Sequence, residues 1–294
     1  QDLVEFGFES EFVGRLPVVV VFDELTHNDL FEILKNPNNP IIISKRMDFG
    51  AYGIDVKFED DALKRIAELA ATEKTGARGL VSAIEKVLIP FETRLPSTKI
   101  KRFLVTREVV DDPDVQLSLL MEKSDDQNWV DRFEKAKKWE IEEIKRYITE
   151  RSEYFSHKSG LDLYDQRLEL IAELYLRHVT DVDMAIENFS AMVEQIHAEA
   201  EALKENLHMK ILFDDSAVDE IIHRSMVSGE DVGRLTFQLG KQLEYGLRLV
   251  KDRSGMEDFI INSAALTDME SFIDALMKKA YHGEDSPAEG QKEG

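Results

Sequence analysis

Apolar residues in the first third of the chain recur with two different spacings. Apolar runs too short for a helix predict strands at 18–22, 54–58 and 102–106. Apolar residues that recur every three or four positions predict amphipathic helices at 25–34, 60–70 and 80–95. The stretch at 41–52 fits neither pattern. This part of the chain is therefore predicted to contain helices with a few short strands.

Between residues 126 and 207 the chain carries no strand signal. Its apolar spacing predicts long helices at about 127–158, 161–178 and 181–207. Charged residues cover the first of these helices, which indicates a solvated face.

An internal repeat follows this helical stretch. The segment VKFEDDAL at 56–63 returns 155 positions later as ILFDDSAV at 211–218. The same offset matches apolar positions of the helices that follow, and RFLVT at 102–106 matches DFIIN at 258–262 one residue further on. Each copy predicts the order strand, helix, break, helix, strand. The alternative is that two unrelated pairs of amphipathic helices share this spacing.

Composition agrees with a helical globular protein. Hydrophobic residues make up 43% and charged residues 33%, while the 294 residues include only 7 prolines and 15 glycines. Cysteine is absent, which excludes disulfides and thiolate chemistry and fits a reducing compartment, so we expect a cytoplasmic protein. The formal net charge of −22 argues against general nucleic-acid binding, and no apolar run is long enough to span a membrane.

Two arginine-containing turns are the candidates for chemistry. One is EFVGRLP at 11–17, and the other is GARGL at 76–80, at the start of a predicted helix. Gly14 and Gly76 would let the backbone turn tightly beside Arg15 and Arg78. A guanidinium beside the free N–H groups of a helix start is suited to phosphate oxygens. Residue chemistry alone leaves open that both arginines are ordinary surface residues.

A metal site is a weaker alternative. Glu194-x-x-His197 and Glu220-x-x-His223 match the carboxylate-bundle spacing of di-iron sites. The second pair maps onto solvent positions of the first repeat copy, and a convincing set of further inward glutamates is missing. No metal is predicted.

The two arginine segments resemble the ClpX-type AAA+ protein unfoldases in order and spacing. The resemblance covers about residues 1–115 and is carried by the segments 2–7, 11–17, 23–25, 33–37 and 74–80. HslU-type unfoldases share the first motif, whereas the glycine at position 79 favours the ClpX type. The stretch at 40–52 departs from the family, which usually continues a helix there.

The resemblance implies roles for individual residues. Arg15 lies at the position of the arginine finger, which acts on the nucleotide of a neighbouring subunit. Arg78, with Gly76 and Ala77, lies at the sensor-2 position, which contacts the subunit's own ATP. The family further implies ATP and Mg²⁺, a hexameric ring of identical subunits, protein substrates and a ClpP-type peptidase partner.

The parts of the family's nucleotide site that come earlier in its chains are not in this sequence. It has no G-x-x-x-x-G-K-[ST] loop and no strand that ends in paired acidic residues. The chain starts at Gln1 rather than Met. We therefore expect the carboxyl-terminal portion of an unfoldase subunit, which binds no ATP and hydrolyses none by itself. The alternative is a stand-alone acidic interaction or scaffold protein derived from an unfoldase.

The predicted fold class is mainly α (α+β), in five segments. They are the end of the AAA+ large domain (1–22), the small domain with sensor-2 (23–115), a helical extension (120–207), a second small-domain-like repeat (208–282) and a disordered tail (283–294). In the second repeat, GEDVGRL at 229–235 replaces the sensor-2 turn, with Gly233 opposite Arg78 and Arg234 displaced by one position. We expect this second repeat to be structural.

Overall fold

A computed structural model of the protein describes residues 2–18, 20, 23–122, 127–178, 180–207 and 209–282. The chain divides into two units, Gln1–Val130 and Asp131–Gly294. Helices predominate and the strands are short, which confirms the predicted fold class. The five predicted segments are finer than this division, and their boundaries stay predictions. The predicted tail at 283–294 lies outside the described residues.

The first unit consists of helices around a two-stranded sheet. Its elements are α1 (Asp2–Glu5), α2 (Ser10–Gly14), α3 (His27–Lys35), α4 (Pro40–Gly50), β1 (Asp55–Phe58), α5 (Asp60–Thr72), α6 (Arg78–Arg94), a 3-10 turn (Leu95–Ser97), β2 (Arg102–Val105), α7 (Arg107–Asp111) and α8 (Pro113–Glu122).

In the core of this unit, β1 pairs in parallel with β2, with Val56 opposite Phe103. Parallel strands need a crossover connection, and α5 and α6 supply it. The Phe103 ring lies 4.5 Å from the ring of Phe91 on α6 and 5.5 Å from that of Phe49 on α4. These buried aromatic contacts hold the sheet against both helices.

Side-chain caps mark the starts of the helices α3 and α4. Thr26 and Asp29 form a reciprocal capping box at the start of α3, which leaves Leu25 outside the helix and 43% exposed rather than on its buried face. Asn39 Oδ1 accepts the N–H groups of Ile41 and Ile42 at 2.9 and 3.2 Å. The ambiguous stretch is thus mostly the helix α4.

The predicted strand at 18–22 is not found in its described part. Val18 and Val20 are described, lie in no strand and are exposed, and the other three positions lie outside the described residues. The helix after β1 begins at Asp60, as predicted, with Glu59 as its N-cap residue.

The second unit begins within a long helix. Its elements are α9 (Gln127–Thr149), α10 (Ser152–Ser159), α11 (Asp165–His178), α12 (Val182–Leu207), β3 (Lys210–Phe213), α13 (Asp215–Ser228), α14 (Val232–Ser254), β4 (Asp258–Ile261), α15 (Ser263–Thr267) and α16 (Met269–His282). The predicted helix 127–158 is two helices, because the chain turns at Glu150–Arg151. Within the described ranges, no helix has both the length and the apolar composition needed to cross a bilayer.

The internal repeat is visible in the hydrogen bonding. β3 pairs in parallel with β4, and α13 and α14 form the crossover. In the first copy Glu59 donates its N–H to Val105 O at 3.0 Å, and in the second Asp214 donates to Ile261 O at 2.9 Å. Thr106 caps α7 just as Asn262 caps α15. The order strand, helix, break, helix, strand is confirmed in both copies.

Burial corrects the predicted alignment of α14 with α6. An offset of 156, rather than 155, maps five buried residues of α6 onto buried residues of α14: Leu80 on Thr236, Ala83 on Leu239, Ile84 on Gly240, Val87 on Leu243 and Phe91 on Leu247. The strand β4 already has this offset from β2. The one-residue shift therefore lies in the break before the helix, and Arg234, not Gly233, matches Arg78.

Candidate functional site

Arg15 lies just after the short helix α2. Its backbone N–H donates to Phe12 O at 3.1 Å, which closes the last turn of the helix. Its side chain is exposed, and among the described residues it forms no ion pair. The expected role of Gly14 is wrong, since its φ is not positive and an added Cβ would meet nothing within 4 Å. The turn beside Arg15 therefore does not depend on a glycine.

The second turn, at 76–80, does depend on a glycine. Gly76 has φ +63°, in the left-handed region that glycine adopts without steric cost, and Lys74 two residues earlier has φ 52°. The N–H groups of Gly79 and Leu80 then donate to the carbonyls of Gly76 and Ala77 at 3.0 and 3.2 Å. This tight turn makes Arg78 the first residue of α6.

Gly79 allows a close approach between two helices. A Cβ at this position would lie 2.9 Å from the carbonyl oxygen of Ala70 on α5 and 2.9 Å from Thr75 Oγ1. The glycine thus lets the start of α6 pack directly on the end of α5. Packing therefore explains the glycine at position 79 without any reference to a ligand.

The start of α6 is suited to an anion. Its N-cap residue is Ala77, which offers no side-chain acceptor, and no acidic residue lies in its first turn. The exposed guanidinium of Arg78 lies at the same end of the helix. The N–H groups of Gly79 and Leu80 already donate to the carbonyls of Gly76 and Ala77. What favours a phosphate oxygen here is therefore the partial positive charge of the helix start together with the Arg78 guanidinium, not a set of free donors. This end of α6 therefore presents a positive charge, with Arg78 as its charged side chain.

The matching helix start in the second unit is occupied by a carboxylate of the protein itself. Asp231 caps α14, and its Oδ1 accepts the N–H of Arg234 at 3.0 Å. The side-chain amide of Gln195 on α12 donates to both Asp231 oxygens at 3.2 Å. The hydrogen bond from the Arg234 N–H, followed by that from Gln195, lowers the pKa of Asp231.

This cap distinguishes the two repeat copies. The sequence alignment, which places Gly233 opposite Arg78, does not predict Asp231 as a cap. The signal was present, since an aspartate three residues before Arg234 is a common N-cap pattern. With Asp231 in place, the first turn of α14 already has its anion.

The two candidate arginines are not bonded to each other in the described part of the chain. Arg15 follows α2 and Arg78 begins α6, and no hydrogen bond or ion pair links them within the described part of the chain. The absence of a direct bond between the two arginines does not test the roles expected of them.

The candidate metal motifs do not form a cluster. Glu220 pairs with Arg224 through Oε1 and Nε at 2.6 Å, and His223 is exposed. On α12, Glu194 and His197 are also exposed. Across the described ranges, no group of three or more potential ligands is close enough together to hold a metal ion.

Comparisons with known proteins find similarity to Clp-type proteins in part of the chain. Residues 25–95 match the family described as the C-terminal, D2-small domain, of ClpB protein. The ATP-dependent Clp protease ATP-binding subunit ClpX of Borrelia duttonii is 40% identical over 130 residues, which are 44% of this chain and 30% of that protein. The same subunit of Treponema denticola is 40% identical over 104 residues, 35% of this chain and 25% of that protein.

The chain thus spans less than a third of the length of these curated relatives. The family match begins just before α3 and ends just after α6, so it includes the turn at Gly76 and the exposed Arg78. Within the first unit, residues 25–95 are therefore similar to the small domain of Clp-type AAA+ proteins, and part of the chain is similar to ClpX subunits.

Proposed function

We propose that this chain is the C-terminal part of an ATP-dependent protein unfoldase subunit of the Clp type. In this role Arg78 reads the nucleotide of its own subunit, and Arg15 contacts the nucleotide of the neighbour. The observation that supports the proposal is the position of Arg78, which is exposed at the N-terminus of α6, a helix start with no side-chain cap and no acidic residue, inside the matched small domain.

The proposal assigns ATP and Mg²⁺ to the assembled ring, not to this chain alone. The sequence lacks the phosphate loop that holds ATP, so Arg78 contributes one charged group to a site built mostly by other residues. Arg15 stabilises charge that develops on the transferred phosphoryl group of the adjacent subunit. Protein substrates and a Clp-type peptidase follow from the relatives' role as protease subunits.

The test uses the complete ring, in which this chain follows a domain with a phosphate loop. Arg15→Ala is expected to lower ATP hydrolysis by about 10³-fold or more, the range known for arginine fingers, and to leave nucleotide affinity nearly unchanged. Arg78→Ala is expected to weaken the response of the small domain to nucleotide, measured by the distance between spin labels on the two domains. Arg94→Ala, at the other end of α6, is the matched control. Unchanged hydrolysis in the Arg15→Ala ring would contradict the finger role.

A second candidate function is favoured by the cap at Asp231. Because Asp231 and Gln195 occupy the start of α14, this helix start is not suited to nucleotide sensing. In this alternative the chain is a stand-alone acidic interaction protein derived from an unfoldase. Sequencing of the gene upstream of Gln1 separates the two: an open reading frame with a phosphate loop supports the unfoldase, and an immediate start codon supports the interaction protein.

A further inference from the structure

The helices α6 and α14 have the same buried face but different exposed faces. At the offset of 156, Val81 matches Phe237 and Ile89 matches Tyr245, and all four side chains are exposed. The intervening charge is reversed, since Glu85 matches Lys241. Glu92 likewise matches Arg248. Because the shared fold fixes only the inner face, these outer differences are not required by packing.

On α14 the outer residues form one continuous line, which we call the basic-aromatic stripe: Arg234, Phe237, Lys241, Tyr245 and Arg248. Spacings of three and four residues place all five on one face of the helix. The stripe is about 21 Å long, at 1.5 Å per residue. Tyr245 is 75% exposed and Phe237 40% exposed, so both rings are available to a partner.

The charge of the stripe is opposite to that of the whole chain. Its three basic residues lie in a protein of net charge −22. Lys241 Nζ lies 5.9 Å from the centre of the Phe237 ring, and Glu244 pairs with Lys241 at 3.0 Å and with Arg248 at 2.7 Å. The stripe with Glu244 thus keeps a net positive charge beside two exposed aromatic rings.

We propose that the basic-aromatic stripe docks an acidic amphipathic helix of a partner protein. Carboxylates seven residues apart on that helix would match Arg234, Lys241 and Arg248, which are themselves seven apart. Apolar side chains between the carboxylates would cover Phe237 and Tyr245, as when a helix lies along a helical surface. This inference does not depend on the proposed unfoldase function.

Charge complementarity selects an acidic polypeptide over a nucleic acid. Nucleic-acid sites need several uncompensated cations along a phosphate backbone, and Glu244 already neutralises part of this short row. A short acidic helix presents only a few carboxylates, and its apolar residues can use the rings.

The experiment measures binding of a labelled synthetic helix to the intact chain by fluorescence anisotropy. The probe is a peptide of about four helical turns with glutamate every seventh position and leucines between. A second peptide replaces each glutamate by lysine, and the third probe is a single-stranded DNA of similar length. The test variant is Lys241→Glu/Arg248→Glu. The matched control is Lys278→Glu/Lys279→Glu, which changes the charge equally on exposed positions of α16.

We expect the acidic peptide to bind the unmodified chain and the control variant, and to bind the test variant at least about tenfold more weakly, because like charges then face each other. Tyr245→Ala should also weaken binding and leave its salt dependence unchanged. The proposal would be overturned if the acidic peptide failed to bind, or if the lysine peptide bound equally well. It would also be overturned if the control variant lost as much affinity for the acidic peptide as the test variant. So would DNA binding that is tighter than that of the acidic peptide. Circular dichroism verifies that each variant is folded.

Discussion

Arg167 Nε lies 3.1 Å from Asp219 Oδ1, and both side chains are buried, so an ion pair inside the second unit joins α11 to α13. The remaining polar atoms are also bonded: Arg167 donates to Asp215 Oδ1 at 3.1 Å and to the carbonyl of Asp162 at 3.0 Å. The Tyr164 hydroxyl donates to Asp219 Oδ2, and burial together with this bond raises the pKa of Tyr164. The tyrosine therefore remains a donor at neutral pH.

Removal of one partner from this ion pair should be strongly destabilising. Asp219→Ala leaves the buried guanidinium of Arg167 without its main countercharge, and we expect a loss of about 3–5 kcal/mol in the free energy of unfolding. Urea unfolding followed by circular dichroism measures the loss. The control is Lys204→Ala, which removes an exposed pair with Glu201 and should change stability by less than about 0.5 kcal/mol. Equal losses in the two variants would show that the buried pair has no special role.

The cap at Asp231 should give a pH-dependent contribution to stability. The pKa of Asp231 is lowered in the folded state, first by the hydrogen bond from the Arg234 N–H. The contribution is therefore complete above the unfolded pKa near 3.9 and is lost as the pH falls through the lower folded pKa. Asp231→Ala should cost about 0.5–2 kcal/mol at pH 7.

The difference between Asp231→Ala and the unmodified chain should be constant from pH 7 to pH 5 and should shrink below about pH 4. Urea midpoints at each pH measure it. A difference that stays the same at pH 3 would mean that the carboxylate charge is not what the cap contributes.

Gly79 should tolerate no side chain. In Gly79→Ala the new methyl group would lie 2.9 Å from the Ala70 carbonyl, and the backbone would have to shift, at a cost of about 1–3 kcal/mol. Gly50→Ala is the control, because a Cβ at the end of α4 meets nothing within 4 Å. That variant should be as stable as the original or slightly more stable. Thermal unfolding measures the stability of both variants. Equal losses of stability in Gly79→Ala and Gly50→Ala would contradict the packing argument.

Much of the fold follows from apolar spacing. The ends of β1 and β2 lie within one residue of the predicted strands. The order of elements in the repeat is predictable because both copies have matching apolar positions on the buried faces of their helices. The turn at Glu150–Arg151 was not predicted, because charged and apolar residues continue through it with helical spacing. The helix α4 is ambiguous in the sequence for a different reason: its apolar residues do not keep to one face, and only the cap at Asn39 and the proline at position 40 mark its start.

The candidate site was predictable in part. Gly76 was expected at a tight turn and has a positive φ, because such turns favour glycine. The match of Arg234 with Arg78 was predicted one residue off, since turn lengths change freely between repeat copies. Asp219 was not predicted as a buried charge: its equivalent in the first copy is the exposed Lys64, and no periodicity reveals a buried ion pair.

Arg15→Ala and Arg78→Ala should leave the stability of the chain nearly unchanged. Both side chains are exposed, and within the described ranges neither forms an ion pair, so we expect shifts within about 0.5 kcal/mol in the free energy of unfolding. Urea unfolding of the isolated chain measures both variants beside Arg94→Ala. A structural arginine would instead give a clear loss of stability. If stability is retained, any loss of ATP hydrolysis or nucleotide response in the complete ring reports on contacts with nucleotide, not on unfolding.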